Sequence, residues 1–184
     1  ASRGGGSAFV VGEEGIRTAL SDAGVKVVDG QPDRVDHVVV GWDRSADYAK
    51  LRTASLLVQR GAALVATNSD PSYPAPDGLW PGAGALLAVI VTTTGAVPEI
   101  VGKPHAPLFQ SALRRAGDGR PLVVGDRLDT DIAGAAALGW DSLLVLTGVT
   151  REDDLAKTDV RPTYVASDLS VLFEEPAPAP LAAG

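Results

Sequence analysis

The sequence predicts an α/β fold built on parallel sheet, and three observations carry that expectation. Short apolar, β-branched runs recur along the chain, at residues 8–12, 37–41, 62–66, 121–125 and 142–146. Between them, apolar residues repeat at helical spacing. One run, Pro121-Leu122-Val123-Val124, stops at Gly125-Asp126 and leads into an acidic helix start. Continuous apolar runs suit strands covered on both faces, as parallel strands are. Ligands of such sheets bind beyond the carboxyl ends of the strands, where Gly125, Asp126 and the turn to Asp131 fall.

The elements follow in order. Ala1 to Ser7 is small and Gly-rich, and residues 8–12 form the first strand. Residues 13–23 form a helix with Ile16, Ala19, Leu20 and Ala23 on one face and Gly24 as the stop. Residues 25–28 and 37–41 are strands, and Asp43 and Arg44 follow the second. Ser45 or Asp47 caps a helix to about Arg60, with Tyr48, Leu51, Ala54, Ser55 and Val58 on its inner stripe. After the strand at 62–66 comes the densest turn-forming stretch, Asn68-Ser69-Asp70-Pro71-Ser72-Tyr73-Pro74-Ala75-Pro76-Asp77-Gly78. It reads either as a functional loop beyond a strand end or as a rigid connector stiffened by prolines. Residues 82–94 form a mostly apolar, buried helix. The chain changes character near Pro98, the expected domain boundary. Pro104 suits the first turn of the next helix, which Gly117 ends. Beyond the buried strand at 121–125, a small-residue helix spans 131–138 and a strand spans 142–146. Residues 152–157 form a short polar helix or loop and 163–166 a last strand. The Pro/Ala-rich tail at 174–184 is expected to be disordered.

Composition narrows the function. The chain has 184 residues, of which 45% are hydrophobic, enough for a real core in one large domain or two small ones. Its longest apolar run, residues 85–91, is far short of the roughly 20 residues that span a bilayer. No membrane partner and a cytoplasmic setting are expected. With no cysteine, thiolate metal sites and cysteine nucleophiles are excluded, and two isolated histidines make a His-rich site improbable. A net charge of −7 opposes nucleic-acid binding. The chain opens at Ala1 and holds no methionine, so it is expected to be part of something longer.

Two places carry candidate chemistry. Asp126, Asp129 and Asp131 crowd one turn, which is stable if solvated or opposed by a cation, and hard oxygen ligands suit Mg²⁺. The alternative is structural: Thr130 caps the helix while Asp129 and Asp131 serve its dipole. Lys103 stands at a helix N-terminal approach, where a cation is unhelpful to the dipole, and this favours a functional lysine. His105 reads as a surface helix residue. A lone GxG ending at Gly84 is too weak a signal for a dinucleotide fold.

Gly102-Lys103-Pro104 followed by Gly125-Asp126-Arg127-Leu128-Asp129-Thr130-Asp131 resembles the lysine and acidic motifs of haloacid-dehalogenase (HAD) superfamily phosphatases. More narrowly, residues 66–71, 79–84 and 102–104 resemble the NagD-type subfamily, which includes phosphoglycolate and glycerol-3-phosphate phosphatases. Arg161-Pro162-Thr163-Tyr164 is similar to its actinobacterial glycerol-3-phosphate members. The resemblance implies a C2-type α/β cap at residues 8–98 and, at 99–173, the C-terminal part of a Rossmann-like core. It implies a Mg²⁺ cofactor held by Asp126, with Gly125 and Arg127 in the motif loop. It also implies catalytic roles for Lys103 and Asp131, and substrate-reading cap residues among Asn68, Asp70, Asp43 and Arg44. The implied partners are a small phosphorylated metabolite and, through the cap, a second copy of the chain.

The family's Asp-x-Asp-Gly nucleophile motif should precede the cap, and this sequence does not contain it. The expectation is a Mg²⁺-dependent phosphomonoester hydrolase of which this is the C-terminal part, inactive by itself. The competing expectation is a non-catalytic phosphate-binding or oligomerisation module that keeps the shape.

Overall fold

The computed structural model describes residues 5–173; the tail at 174–184, read from the sequence as disordered, lies outside them. Two compact units divide the chain after Val101.

The first unit is a five-stranded parallel sheet. Its strands are β1 (Ser7–Val11), β2 (Lys26–Val27), β3 (His37–Val40), β4 (Ala63–Ala66) and, after an intervening hairpin, β7 (Glu99–Ile100). The order is β2-β1-β3-β4-β7. Because Val65 pairs with Glu99 and Ala66 with Ile100, β7 stays with this sheet, and residues 99–101, expected in the second unit, belong to the first. The β-branched runs of β1 and β3 are buried, as a sheet covered on both faces requires. Helices α2 (Tyr48–Gln59) and α3 (Ala83–Thr94) supply the buried cover, and α1 (Glu14–Asp22) follows β1.

Asp47 starts α2 by accepting a hydrogen bond from Lys50 N at 2.7 Å, and Gly95, at φ 69°, ends α3 in the left-handed conformation that glycine adopts at least cost. Leu57 of α2 and Leu87 and Ile90 of α3 pack against Phe9, Val11, Val38, Val40 and Leu64 of the sheet. Each such side chain, fully buried, contributes about 1.5–3 kcal/mol. α1 buries no residue and lies on the surface.

The turn-rich stretch after β4, expected as a functional loop or a rigid connector, is largely strand. It contains the antiparallel hairpin β5 (Ser72–Ala75) and β6 (Gly78–Pro81), with Tyr73 opposite Trp80. Prolines do not prevent the hairpin, because proline is tolerated in a strand that has a free edge.

The second unit holds a three-stranded parallel sheet, β8 (Leu122–Gly125), β9 (Asp141–Val145) and β10 (Tyr164–Ala166), in the order β10-β9-β8. Helices α4 (Ala106–Ala116) and α5 (Ala133–Ala137) belong to it. Phe109 of α4 meets Trp140 edge to face at 6.3 Å, and Ile132, Ala135, Leu143 and Leu144 are buried. Two expectations need correction. The 121–125 strand is an edge and not a buried centre: among the described residues it pairs with β9 alone, and Leu122 and Val124 remain exposed. Pro104 precedes α4 instead of opening it; His105 is the cap position, Pro107 occupies the first turn, and the Lys103–Pro104 bond is cis.

Candidate active site

The site of the second unit is built where β8 ends. After Asp126 the chain makes one π-helical turn, Leu128–Ile132, before α5 begins. Asp131 N and Ile132 N both bond Arg127 O, at 3.1 and 3.2 Å, which winds the turn wide. Such turns recur at functional sites because they re-aim side chains out of helical register. Here Asp131 is carried back over the strand end, with Oδ2 accepting from Arg127 N at 3.2 Å. Gly125 makes room for it: a Cβ there would collide with the Asp131 carboxylate.

Asp131 is buried, and a buried carboxylate persists only with a partner. Lys103 is that partner, its Nζ 2.7 Å from Asp131 Oδ1. The lysine side chain is 46% exposed, and an ammonium carries three donors, one of which Asp131 takes.

Asp126 serves a different neighbour. Its Oδ2 accepts from Val149 N at 2.8 Å, and its backbone carbonyl accepts from Thr150 N at 3.1 Å. The loop after β9 is thereby tied to the end of β8. Gly148 allows the approach, since a Cβ there would strike the Asp126 carboxylate. The remaining carboxylate, Asp129, is exposed and held by the Arg127 guanidinium through two bonds of 3.0 and 2.6 Å.

The three aspartates of the acidic turn therefore do not converge; each faces its own partner. Thr130 does not cap the helix either, because its Oγ1 is buried with no hydrogen-bond partner among the described residues. Nor does any group of three acidic or histidine side chains suited to a metal occur among those residues. Asp126 offers one carboxylate with Oδ1 not engaged by Val149, which is one arm of a hard-cation shell and not a complete one.

In the first unit, the cap candidates lie beyond the carboxyl ends of β3 and β4. Asp43 is buried and fully engaged: Oδ1 accepts from Ser45 N and Oγ at 2.9 and 2.8 Å, and Oδ2 binds Lys50 Nζ at 2.8 Å. Burial pushes its carboxyl up, yet the Lys50 and Ser45 bonds outweigh this and hold it below the ordinary range. This makes Asp43 a structural anchor. Arg44 is exposed and gripped by Glu13. Asn68 Oδ1 accepts from Asp70 N at 3.1 Å, closing a turn that leaves Asp70 exposed. Sequence reasoning missed Glu13, read only as a helix start, and also Trp42. The Trp42 ring stacks on Tyr73 of the hairpin at 4.4 Å, and its Nε1 donates to Pro81 O at 3.2 Å. Both follow apolar strands directly, and that position was the available signal.

Comparison with known proteins places the chain in a family. A family model described as HAD-hydrolase-like matches residues 100–172. A hypothetical protein of Pyrococcus horikoshii superposes with a TM-score of 0.85 at 36% identity, over 91% of this chain and 67% of that one. The chain belongs to the HAD-like hydrolase family. A glycerol phosphate phosphatase of Mycobacterium tuberculosis, solved in complex with magnesium, matches this HAD-like chain with a TM-score of 0.84 at 40% identity, over 88% of this chain and 50% of that one. An acid sugar phosphatase of Staphylococcus haemolyticus is 38% identical over 91% of this chain and 64% of its own length. The chain thus spans between half and about two thirds of the length of these relatives. No helix among the described residues of this HAD-like chain is long and apolar enough to cross a membrane.

Proposed function

We propose that this chain is the C2-type cap and the second part of the core of a phosphomonoester phosphatase acting on a small sugar-phosphate, glycerol-phosphate or phosphoglycolate-type metabolite. The observation that carries the proposal is the Lys103–Asp131 pair. A half-exposed lysine whose ammonium is fixed by a buried carboxylate near the end of β8 is suited to hold a phosphoryl oxygen and to offset the charge that develops during transfer. Asp131 is then a positioning acid for Lys103, and Asp126 supplies one carboxylate arm toward Mg²⁺. The M. tuberculosis relative, solved in complex with magnesium, supports the choice of a divalent metal.

The nucleophilic carboxylate is assigned to the part of the relatives' length that this chain does not span, because no Asp-x-Asp-Gly occurs here. Covalent phosphoryl transfer needs such a group, so the 184-residue chain by itself is expected to be inactive. Substrate discrimination falls to the first unit, through Arg44, the Asn68–Asp70 turn and the hairpin held by Trp42.

The test is phosphate release from p-nitrophenyl phosphate by the full-length protein with Mg²⁺, and by its Asp126→Asn variant. Turnover in the parent that is lost in the variant supports the reading. A parent without turnover favours a non-catalytic module.

A further inference from the structure

An aspartate followed by glycine is the one that most readily reacts with its own backbone, because a residue without a side chain leaves its amide nitrogen unshielded and its backbone free to rotate. The chain contains this dipeptide three times, as Asp29-Gly30, Asp77-Gly78 and Asp118-Gly119. All three aspartates are exposed, so access does not separate them. The partner of each carboxylate does.

Asp29 is held by Arg17, whose Nη2 lies 2.9 and 2.7 Å from its two carboxylate oxygens. Asp77 Oδ1 accepts from Trp80 Nε1 at 2.8 Å, and Gly78 opens β6 opposite Ala75. Asp118 has neither a hydrogen bond nor an ion pair among the described residues. The cation nearest to it in sequence, Arg120, is taken by Asp141 at 2.8 Å. Asp118 sits in the loop between α4 and β8, flanked by Gly117 and Gly119 at φ 87° and 152°, and a Cβ added at either glycine would meet nothing within 4 Å. Segments so loosely packed open at little cost. The same open space surrounds Gly30 and Gly78, so the unbonded carboxylate is what sets residue 118 apart.

We propose that Asp118 is a site of spontaneous isomerisation, a covalent modification of the loop that enters β8. The Gly119 amide nitrogen attacks Asp118 Cγ and a C–N bond forms. One carboxyl oxygen leaves as water, taking the amide proton and a second proton from solvent, and a five-membered succinimide remains. Water then opens the ring. Opening at Cγ restores aspartate, whereas opening at the main-chain carbonyl leaves the chain running through Cβ and Cγ as isoaspartate. Nothing is oxidised or reduced, and the mass is unchanged. The loop gains one main-chain carbon just ahead of the strand whose other end carries Asp126. A carboxylate already bonded must give up that bond before its Cγ can meet the nitrogen, and this slows the reaction at residues 29 and 77.

The test incubates the 184-residue chain for weeks at neutral pH, below its thermal transition, beside the same chain in urea. Isoaspartate is measured peptide by peptide, by protease digestion and electron-transfer fragmentation, which tells the two isomers apart at equal mass. In the folded chain the peptide holding residue 118 should accumulate isoaspartate about threefold faster, or more, than those holding 29 or 77, the factor that one ordinary hydrogen bond imposes. In urea the three rates should converge. Arg17→Ala should raise the signal at 29 and Trp80→Phe the signal at 77. Asp118→Glu, whose ring would need six members, should remove the signal at 118 and leave the other two unmoved. A folded chain in which 29 or 77 keeps pace with 118, or a ranking that persists in urea, overturns the assignment. An unmoved signal at 29 in a folded Arg17→Ala variant overturns it as well.

Discussion

Lys103 Nζ lies 2.7 Å from Asp131 Oδ1, and the two ends of this pair are unequally placed, the carboxylate side chain 6% exposed and the lysine 46%. The same unequal exposure occurs at Lys50 and Asp43, 30% and 1%, so it serves a structural pair as well, and kinetics decides whether Lys103 also binds substrate. Lys103→Ala in the full-length protein should lower kcat at least tenfold, about 1.4 kcal/mol of transition-state stabilisation. A smaller loss in steady-state kinetics would make the lysine a counter-ion only.

Asp126→Asn separates fold from chemistry. The asparagine amide oxygen can still accept from Val149 N, so the loop after β9 stays tied and the melting temperature should change little. The negative charge on the free oxygen is lost, and a neutral amide is a poor ligand for a hard cation. Mg²⁺-dependent turnover should disappear while the thermal transition remains cooperative. Normal turnover in a folded variant would contradict the assignment.

Gly125→Ala places a methyl group where the Asp131 carboxylate sits. Neither can give way freely, because Asp131 is fixed by Lys103 and by Arg127 N. Overpacking of this kind costs about 1–3 kcal/mol. Urea denaturation should show that loss, accompanied by reduced turnover. An unchanged midpoint would mean that the turn after β8 is softer than its hydrogen bonds imply.

Much of this architecture was legible because β-branched runs and helical spacing are local signals. β1, β3, β4, β9 and the helices lie close to where periodicity put them. Lys103, Asp126 and Asp131 were singled out through their motif, and the structure pairs Lys103 with Asp131 at 2.7 Å. What failed was non-local. The hairpin at 72–81 is created by pairing, Tyr73 against Trp80, which overrides three prolines that read as turn formers. The exposure of Leu122 and Val124 depends on which strands flank β8, a property no window of sequence contains. Likewise, the Glu13–Arg44 clasp joins residues 31 positions apart that only the parallel pairing of β1 with β3 brings together.

Acid should reveal how much the first unit depends on Asp43. Its carboxyl, with an ordinary value of 3.8, is lowered in the folded protein because the Lys50 and Ser45 bonds outweigh burial. A folded value below the unfolded one contributes stability that is complete above about 3.8 and lost as pH falls through the folded value. Protonation then leaves Lys50 without its anion and removes the charge that strengthens the bonds from Ser45. Asp43→Asn imposes that neutral state at every pH. The variant should be weaker than the parent at pH 7 by about 1–3 kcal/mol, the usual cost of losing charge-assisted bonds at a buried site. The difference should shrink as both proteins are taken below pH 4, since the parent comes to resemble the variant. Urea denaturation of parent and Asp43→Asn between pH 7 and 2.5 measures this directly. Other carboxylates with lowered values, such as Asp36 and Asp154, titrate equally in both proteins and cancel in the comparison. Parallel stability profiles across that range would show that Asp43 is not coupled to the fold, and that the Ser45–Lys50 segment at the start of α2 is held by other contacts.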